Sequence, residues 1–241
     1  MVNKPAQRPQ NEQLHSPKAV TPTRKSFQRL ADADRRRALL EATLDCIGEA
    51  GASGASARRI AERAGVTAGL IRHHFGSMDE MVRQAYAHLM TQLTSEAAEA
   101  ARAGGDSPEA ALARFVAANV MQPNLSPRKV SLWATFIGRV DGEAGYSVIH
   151  RDSYREFLEV LTRLIHPVLV KHGRPSSPEA CRSLAIALNG LIDGLWLEGS
   201  LDHGLYDPHR LPGIALSAAE GLLRLPDTAL LRHLTDLPPQ D

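Results

Sequence analysis

The apolar positions of the chain recur at helical spacing from the first periodic segment onward. Leu40, Leu44 and Ile47 are separated by intervals of four and three residues, which place side chains on one face of an α-helix. This pattern predicts a helix that begins near Ala33 and ends at Gly51, because glycine readily adopts the left-handed conformation of a C-terminal cap.

Later helix starts share one device, a capping side chain followed directly by proline. The capping side chain accepts a backbone N–H of the first turn, and proline at the first helical position loses no hydrogen bond. The device occurs at Ser107-Pro108, Ser126-Pro127, Ser177-Pro178 and Asp207-Pro208. It predicts helices near 108–121, 127–141, 178–203 and 208–224, and the periodicity adds helices near 77–102 and 146–172. Pro167 and Pro212 lie inside two of these segments and are expected to kink or divide them.

A pair of short helices with a tight turn between them is predicted from residue 56 to residue 75. Ser56 opens the first helix, and Gly65-Val66-Thr67 interrupts it after barely two turns. Thr67 is a suitable N-cap for the second helix, which runs from Ala68 to Phe75. This layout is typical of a helix-turn-helix, whose second helix enters the major groove of DNA.

Composition supports an all-α protein. The chain has 34 Ala and 31 Leu against 12 Val and 9 Ile, so helix-favouring residues greatly outnumber the β-branched residues that favour strands. We therefore predict about nine helices and no sheet. Cys46 and Cys181 lie far apart and lack metal-ligand spacing, which is typical of a cytosolic chain with free thiols. No apolar run reaches the roughly 18 residues of a membrane-spanning helix, and we expect a cytoplasmic protein.

Charge is unevenly distributed along the chain. Residues 1–76 carry 13 Lys and Arg against 7 Asp and Glu, whereas residues 77–241 carry 15 against 20. A basic N-terminal part that meets a polyanion explains this division, and a basic tail without a partner explains it equally well. We predict a Pro-rich mobile tail at 1–30, a helix-turn-helix domain at 31–78, an effector-binding and dimerisation domain at 79–225, and a C-terminal tail at 226–241.

The helix-turn-helix carries the candidate DNA contacts. Its second helix is predicted to expose Arg72 and His73 and to bury Leu70, Ile71 and Phe75. Gly69 allows the DNA to approach this helix closely. The predicted contacts are Arg35, Arg36, Ser56, Arg58, Thr67, Ala68, Gly69, Arg72, His73 and His74. A solvated helical hairpin with exposed arginines is the alternative that the pattern leaves open.

One stretch of the chain resembles the DNA-binding domain of the tetracycline-repressor (TetR) family. It runs from Ile60 to Ile71 as IAERAGVTAGLI and continues to His74-Phe75, against the family pattern I-A-x-x-A-G-V-[ST]-x-G-x-[IL]-Y-x-[HY]-F. The run LIDGLWL at 191–197 and the histidine at position 73 resemble the branch that contains the choline-responsive repressor of betaine synthesis. The resemblance to the family extends over about residues 33–225, and it implies a dimeric DNA-binding regulator.

Two residues depart from the family pattern. Arg72 stands where most members have a tyrosine, and Met78 stands where many have a lysine. The resemblance implies that both positions touch phosphates, which Arg72 can do through its guanidinium. Met78 has no N–H or O–H to donate, so we expect the operator sequence to differ from those of close relatives.

A dimer follows from the short reach of one recognition helix. Two copies on half-sites about 34–36 Å apart bind more DNA than one copy does. The helix predicted at 178–203 is apolar on two sides, so we expect one side to face the core and the other a second subunit. The predicted interface residues are Ala187, Gly190, Leu191, Gly194, Ile214, Ala218 and Leu222. The resemblance implies that the last two helices pair with their mates as a four-helix bundle, and a buried helix in a monomer is the alternative.

The middle helices are expected to hold an effector pocket. Its predicted residues are Trp133, Phe136, Tyr154, Phe157, Asp193 and Trp196. Aromatic rings beside a carboxylate attract an ammonium group through cation–π and Coulomb interactions. The resemblance also points to a cationic or quaternary-amine effector, while an apolar or anionic effector, and a purely structural role of the rings, stay open.

Together these features predict a DNA-binding transcriptional regulator, in particular a homodimeric repressor that binds a palindromic operator and is released by a small-molecule effector. One alternative is an activator or effector-independent regulator on the same fold. Another is a helical ligand-binding or partner-binding module that does not engage DNA. The sequence lacks a nucleophile elbow, an HExxH pair and a phosphate loop, so we expect no enzyme, no cofactor and no metal site. Adjacent His73 and His74 are expected to point apart on their helix.

Overall fold

The computed structural model describes residues 24–103, 107–201 and 204–236. Within these ranges the chain forms nine α-helices and no strand, which confirms the predicted all-α class. The helices are α1 (Arg24–Gly54), α2 (Ala57–Arg63), α3 (Gly69–Phe75), α4 (Met78–Arg102), α5 (Pro108–Asn119), α6 (Pro127–Val140), α7 (Ala144–Lys171), α8 (Pro178–Gly199) and α9 (Leu211–Leu223).

The predicted proline-led starts are present, but not all of them use the predicted cap. The hydroxyl oxygens of Ser107 and Ser177 accept backbone N–H groups three residues on, at 3.0 and 3.2 Å. Ser126 makes no such bond, and its own N–H donates to the Ser200 hydroxyl at 3.2 Å. Asp207 caps only a short 3-10 turn, Pro208–Arg210, after which α9 begins.

The two prolines that are predicted to kink or divide helices differ in their effect. Pro167 is exposed and does not divide α7, whereas the segment predicted as one helix at 208–224 is divided into a 3-10 turn and α9 beside Pro212. Pro212 lies in the first turn of α9, where its missing N–H costs no intrahelical bond.

Helix α1 begins earlier than predicted, and its regular part is interrupted at Gly51. It begins at Arg24, inside the segment 1–30 that the sequence predicts as a tail, because no helix breaker lies between Pro22 and Ala33. Residues 1–23 of that predicted tail lie outside the described residues. Gly51 has a φ of 70° and a ψ of 176°, so helical geometry is interrupted at the residue where the sequence predicts the end of the helix, and a short helical segment follows across this kink as far as Gly54.

Two hydrophobic clusters organise the helices. The N-terminal cluster contains the inner faces of α1, α2 and α3 together with residues of α4, α6 and α7, among them Tyr86, Phe136 and Tyr146. The rings of Tyr86 and Phe136 stack with their centroids 4.8 Å apart. The second cluster joins the distal part of α4 to α5, α7, α8 and α9, and it also contains Val130 of α6. Helices α4, α6 and α7 therefore contribute to both clusters, across the predicted domain boundary at residues 78 and 79.

The segment after α9 packs against the core instead of forming the tail predicted at 226–241. Ala229 and Leu230 are buried in the second cluster, and a 3-10 helix, Leu231–Asp236, follows them. The buried carboxylate of Glu220 accepts the N–H groups of Leu230 and Leu231 at 2.7 and 2.8 Å. These bonds hold the segment in place, and residues 237–241 lie outside the described part of the chain.

Candidate DNA-binding surface and effector cavity

Local hydrogen bonds form the predicted helix-turn-helix. The Ser56 hydroxyl accepts the N–H of Arg59 at 3.3 Å and caps α2. At the other end, the N–H of Val66 donates to the Ala61 carbonyl at 3.0 Å, across Gly65 with a φ of 66°. This positive φ lets the chain reverse within a few residues, so that α3 follows α2 directly.

Helix α3 starts differently from the prediction. Ala68 occupies the cap position with helical φ and ψ and makes no side-chain cap bond, whereas Thr67 is the predicted cap. The reason lies in the backbone, because the N–H of Leu70 already reaches the Thr67 carbonyl at 3.0 Å. Thr67 is exposed, so its side chain is directed toward solvent at the front of α3.

The exposed face of α3 matches the predicted face. Thr67, Ala68, Gly69, Arg72 and His73 are exposed. On the opposite face, Ile71 and Phe75 lie in the N-terminal cluster at 4% and 6% exposure. Leu70, which is predicted to be buried, is half-buried against the same cluster. This helix therefore presents a polar surface to any partner of the domain.

Two features of that face favour contact with a nucleic acid. The Arg72 side chain makes no hydrogen bond or ion pair with any residue in the described part of the chain, so its guanidinium is available to a phosphate or a guanine edge. A Cβ built on Gly69 meets no atom within 4 Å, so a DNA backbone could approach α3 closely at this point.

The other predicted basic contacts differ in whether their side chains already interact with other residues of the protein. Arg35 is exposed. Arg36 is exposed, but it donates to the Gln84 side chain and its guanidinium carbon lies 5.3 Å from the Phe75 ring centroid. Arg58 lies 3.2 Å from Glu62, and its side chain is 88% exposed, so this pair is weak and easily exchanged for a phosphate.

His74 does not belong to the exposed face. Its side chain is only 4% exposed, which places it beneath the surface and not at the predicted DNA contact. The adjacent rings of His73 and His74 also do not point apart as predicted, since their centroids lie 5.1 Å from each other. Rotation about the side-chain torsions allows neighbouring residues on the last turn of a short helix to turn toward a common point.

A cavity lies between α4, α5, α6, α7 and α8, and it contains most of the predicted effector residues. Its lining residues are Met90, Leu93, Thr94, Asn119, Asn124, Trp133, Ser153, Tyr154, Phe157, Asn189, Ile192, Asp193 and Trp196. The cavity volume is about 50 Å³, well below the roughly 150 Å³ that accommodates benzene in an engineered protein cavity. A ligand larger than a few atoms would therefore have to displace the walls.

Asp193 is the one carboxylate in this lining. It accepts hydrogen bonds from the Asn189 amide at 3.0 Å and from the Tyr154 hydroxyl at 3.3 Å. Burial raises the pKa of the Asp193 carboxyl to about 6, although both hydrogen bonds act in the opposite direction. Burial and the neighbouring Asp193 also raise the pKa of Tyr154 above its usual range.

Aromatic rings surround the carboxylate on α6, α7 and α8. Trp133 and Trp196 meet edge to face with centroids 5.8 Å apart, and the Trp196 indole N–H donates to the Asn124 carbonyl at 2.9 Å. The predicted Phe136 is not part of this lining. It is 1% exposed and stacks on Tyr86 in the N-terminal cluster, because it lies three residues from Trp133 on a helix that contacts both clusters.

Several lining residues have no counterpart in the sequence prediction. Met90, Leu93 and Thr94 of α4 and the amides Asn119 and Asn124 all lie outside the predicted set. The spacing of the α4 residues marks an inward face of that helix, but it does not distinguish a cavity wall from an ordinary core contact.

The outer face of α8 and α9 is apolar and exposed. Ile186 and Ile214 are 53% and 44% exposed. Among the predicted interface residues, Ala187, Gly190, Gly194 and Leu222 are also exposed, while Leu191 and Ala218 are half-buried. A Cβ built on Gly190 or Gly194 meets no atom within 4 Å.

This exposed face makes α8 apolar on two sides. By length and composition α8 is a helix that could cross a membrane, with 28% of its most apolar window buried inside the protomer, which by itself is weak evidence for a membrane span. A helix with one buried and one exposed apolar side is also what a subunit interface requires.

Comparison with protein-family models gives two matches. Residues 39–85 match the model of bacterial regulatory proteins of the tetR family, and residues 108–224 match the model of the C-terminal part of BetI-type transcriptional repressors. The two matched segments contain the helix-turn-helix and most of the cavity, respectively.

Comparison with individual proteins gives consistent results. The chain is 32% identical over 174 residues to the HTH-type transcriptional regulator BetI of Burkholderia thailandensis, covering 72% of this chain and 85% of that protein. A transcriptional regulator from Pseudomonas aeruginosa PAO1 has a similar structure, with a TM-score of 0.71 and 30% identity over 82% of this chain and 94% of the other. A Saccharomonospora viridis regulator, solved in complex with choline, has the same fold, with a TM-score of 0.63 and 18% identity over 76% of this chain and 94% of that one.

Proposed function

Because the chain belongs to the TetR family of DNA-binding transcriptional regulators, with a C-terminal part of BetI type, we propose that it is a homodimeric repressor that binds a palindromic operator and is released by a small amine cation. Family membership makes it a regulator and not an enzyme, and it disfavours a helical module that does not engage DNA. We assign DNA binding to residues 31–78, and effector binding and dimerisation to residues 79–225. A regulator of this kind acts in the cytoplasm, where its operator lies.

The proposed DNA contact is the exposed face of α3 with the arginines around it. Arg72 and the N-terminal residues of α3 would meet base edges and phosphates, and Ser56, Arg58, Arg35 and Arg36 would meet the flanking backbone. The support is that Arg72 makes no hydrogen bond or ion pair with any described residue and that the space beside Gly69 is open. His74 is left out of the proposed contact because its side chain is buried.

The proposed dimer forms through the outer faces of α8 and α9. An exposed apolar surface with open space over two glycines allows the same helices of a second copy to approach closely. The pairing would hold two α3 helices at a fixed separation, and that separation decides how well they fit two half-sites.

The observation that carries the effector proposal is the Asp193 carboxylate inside a ring of aromatic side chains. A half-buried carboxylate that lacks a cationic partner in the cavity lining is costly, and a quaternary or primary ammonium would offset that cost. Trp133, Tyr154 and Trp196 line the cavity, and aromatic rings attract such cations. A choline-bound regulator of the same fold makes choline the first compound to test.

Helix contacts suggest how the cavity would act on the DNA-binding part. Helices α4 and α6 contribute walls to the cavity and also pack against α1. A second connection starts at Tyr154, whose ring lies 4.4 Å from that of His150, and continues through a 2.9 Å hydrogen bond between His150 and the Tyr86 hydroxyl. An effector that pushes the cavity walls apart would displace these helices and change the separation of the two α3 helices.

The proposal is tested by operator binding in the presence of choline. The purified protein is titrated onto a DNA fragment from upstream of its own gene, with choline chloride, with sodium chloride at equal ionic strength, and with 3,3-dimethylbutan-1-ol, the uncharged isostere of choline. We expect choline alone to weaken binding, by about 5–150-fold if the coupling has its usual size. The Asp193→Asn protein should bind the same DNA and lose the response.

Different results separate the parts of the proposal. An equal effect of the uncharged isostere would contradict a cationic effector, and the absence of any preference for the fragment over random duplex would contradict operator binding. A reporter gene placed behind the fragment gives the sign of regulation. Loss of expression on deletion of the regulator would identify an activator in place of the proposed repressor.

A further inference from the structure

The base of α3 contains a group of three potential metal ligands from two helices. Asp32 of α1 and His73 and His74 of α3 each offer one ligand atom, and these atoms all lie within 4.8 Å of one another. The closest pair is the His74 Nε2 and an Asp32 carboxylate oxygen, at 3.7 Å. The group lies beside the DNA-binding face, and none of its members lines the effector cavity.

The buried and unpaired Nε2 atom of His74 distinguishes this group from a chance cluster of surface side chains. Its Nε2 atom is buried and has no hydrogen-bond partner among the described residues, and the distance to Asp32 is too long for a hydrogen bond. Nearly all buried polar side-chain atoms in native proteins are paired, because an unpaired one costs roughly 1–3 kcal/mol. A nitrogen on a side chain that is only 4% exposed, and that faces a carboxylate, therefore calls for a partner between the two.

The spacing of the atoms fits a metal ion as that partner. Two ligands bound at about 2.1 Å with tetrahedral angles lie about 3.4 Å apart. His74 and Asp32 would have to approach by only a few tenths of an ångström from their 3.7 Å separation. His73 is exposed and can close the remaining gap by a side-chain rotation, since its ligand atom is within 4.8 Å of both others.

The donor atoms select the class of ion. Two imidazole nitrogens and one carboxylate oxygen suit Zn²⁺, Co²⁺ or Ni²⁺, whereas Mg²⁺ and Ca²⁺ prefer sites made of oxygen alone. The neighbouring cation Arg36 does not compete for the carboxylate, because its guanidinium is engaged by Gln84 and by the Phe75 ring. The site also lies at the C-terminal turn of α3, where backbone carbonyls favour a positive charge.

We propose that Asp32, His73 and His74 form a binding site for a divalent transition-metal ion that joins α1 to the recognition helix. The ion would satisfy the buried His74 nitrogen and cross-link two helices that both contribute to the N-terminal cluster. Solvent would complete its coordination on the side of His73. His73 also lies on the exposed face of α3 that is proposed to meet DNA. The site is therefore tested without DNA or effector, and its failure would leave the proposed regulatory function untouched.

Zinc binding to the purified, DNA-free protein tests the site. Zinc chloride is titrated against a chromophoric chelator that competes with the protein, and cobalt chloride is added separately to record the visible absorption of a tetrahedral site. We expect one strong site per chain, a cobalt spectrum of tetrahedral type, and a melting temperature that rises with zinc concentration because the ion binds the folded state.

Matched variants identify the ligands. Asp32→Asn and His73→Ala change exposed side chains and should fold normally, yet each should weaken zinc binding at least tenfold, the lower end of the loss produced by removing even an outer-shell partner. His74→Gln completes the set, with its folding checked by circular dichroism. His166→Ala, at an exposed histidine of α7, is the control and should bind zinc like the unaltered protein.

The outcomes are distinct. Loss of affinity in Asp32→Asn and His73→Ala with an unchanged His166→Ala protein would support the site. Equal zinc affinity in all four proteins, or zinc binding without any rise in melting temperature, would overturn it and leave adventitious binding by surface histidines.

Discussion

Among single residues, Arg72 departs from the family pattern, which has a tyrosine at this position of the recognition helix. Its guanidinium makes no bond to any described residue, so removal of the side chain leaves no buried partner behind. Arg72→Ala should therefore lower operator affinity about tenfold without lowering the melting temperature. The slope of log K against log salt should also become shallower, by about 0.9 for each phosphate that the guanidinium no longer neutralises.

Arg163→Ala is a suitable control for this experiment. Arg163 is an exposed arginine on α7, away from α3, and its removal changes the net charge by the same amount. Equal losses of affinity in both variants would mean that only net charge matters and that Arg72 makes no specific contact.

Asp193 gives a stability prediction with a defined dependence on pH. Burial raises its pKa from 3.8 to about 6, so the folded protein holds this proton more tightly than the unfolded chain does. The group then has no effect below about pH 4, destabilises the fold increasingly as the pH rises toward 6, and reaches its full cost above that. Asp193→Asn should raise the free energy of unfolding at pH 7.5 by up to about 3 kcal/mol and leave it nearly unchanged at pH 4.

Urea unfolding of both proteins at the two pH values measures this difference. Glu156→Gln, at an exposed carboxylate of α7, serves as the control for the loss of one negative charge. A stabilisation by Asp193→Asn that is the same at both pH values would show that the carboxylate is not a buried, uncompensated charge.

Individual residues also mark the limit of prediction from sequence. The spacing and aromatic content of α6 and α8 predict a cavity with Trp133, Trp196 and Asp193, and the structure brings these three together. The same reasoning places Phe136 in the cavity, but it packs on Tyr86, because helical spacing shows that a face is inward and not which of two cores it meets. The burial of His74 depends on the position of α1 over α3, which no local pattern contains.

At the scale of elements, the segment after α9 depends on one buried carboxylate. Glu220 accepts the N–H groups of Thr228, Leu230 and Leu231 at distances of 3.3, 2.7 and 2.8 Å. Glu220→Ala would leave these donors unpaired, and the segment could recover them only by leaving the core and exposing Leu230. We expect a loss of about 2–4 kcal/mol in the free energy of unfolding.

Hydrogen exchange locates the effect. The amides of Leu230 and Leu231 should exchange much faster in Glu220→Ala, while those of α2 and α3 should keep their rates. Glu179→Ala, an exposed glutamate in the first turn of α8, tests the loss of a charge alone. Unchanged exchange at Leu230 would show that apolar packing holds the segment without the carboxylate.

Element starts and ends are predictable to the extent that short-range chemistry sets them. The proline-led starts of α5, α6 and α8 lie where the sequence places them, because proline and its capping neighbour act within one turn. The packing of residues 229–236 is not predictable in this way, since the acceptor that holds them lies on the preceding helix and Glu220 resembles any other surface glutamate in sequence. Capping residues and prolines thus predict where helices begin better than they predict how the segment after α9 packs on the core.

At the scale of the whole molecule, the hydrogen bond between Tyr86 and His150 lies between the effector cavity and the N-terminal cluster. Tyr86→Phe removes the hydroxyl and keeps the ring stacked on Phe136, so the fold should lose no more than about 1.5 kcal/mol. If this contact transmits the effector's influence, operator affinity and choline affinity should each stay within about twofold while the effect of choline on operator binding falls severalfold. A variant that retains full release by choline would exclude this contact from the coupling.

The dimer is the remaining property of the whole molecule, and it can be tested at a single glycine. Gly190 lies on the exposed face of α8 with no atom within 4 Å of a built Cβ, so a glutamate fits there without disturbing the protomer. In the proposed dimer the same position would bring two buried, unpaired carboxylates together, which the apolar interface cannot compensate. Gly190→Glu should therefore sediment as a monomer with normal helix content and should lose most of its operator affinity, because each recognition helix then binds its half-site alone.

Gly138→Glu is the control for this experiment. This variant, at an exposed helical glycine of α6 with equally open surroundings, should stay dimeric. Two monomeric variants would point to a general effect of added charge, and two dimeric variants would place the subunit contact on another surface.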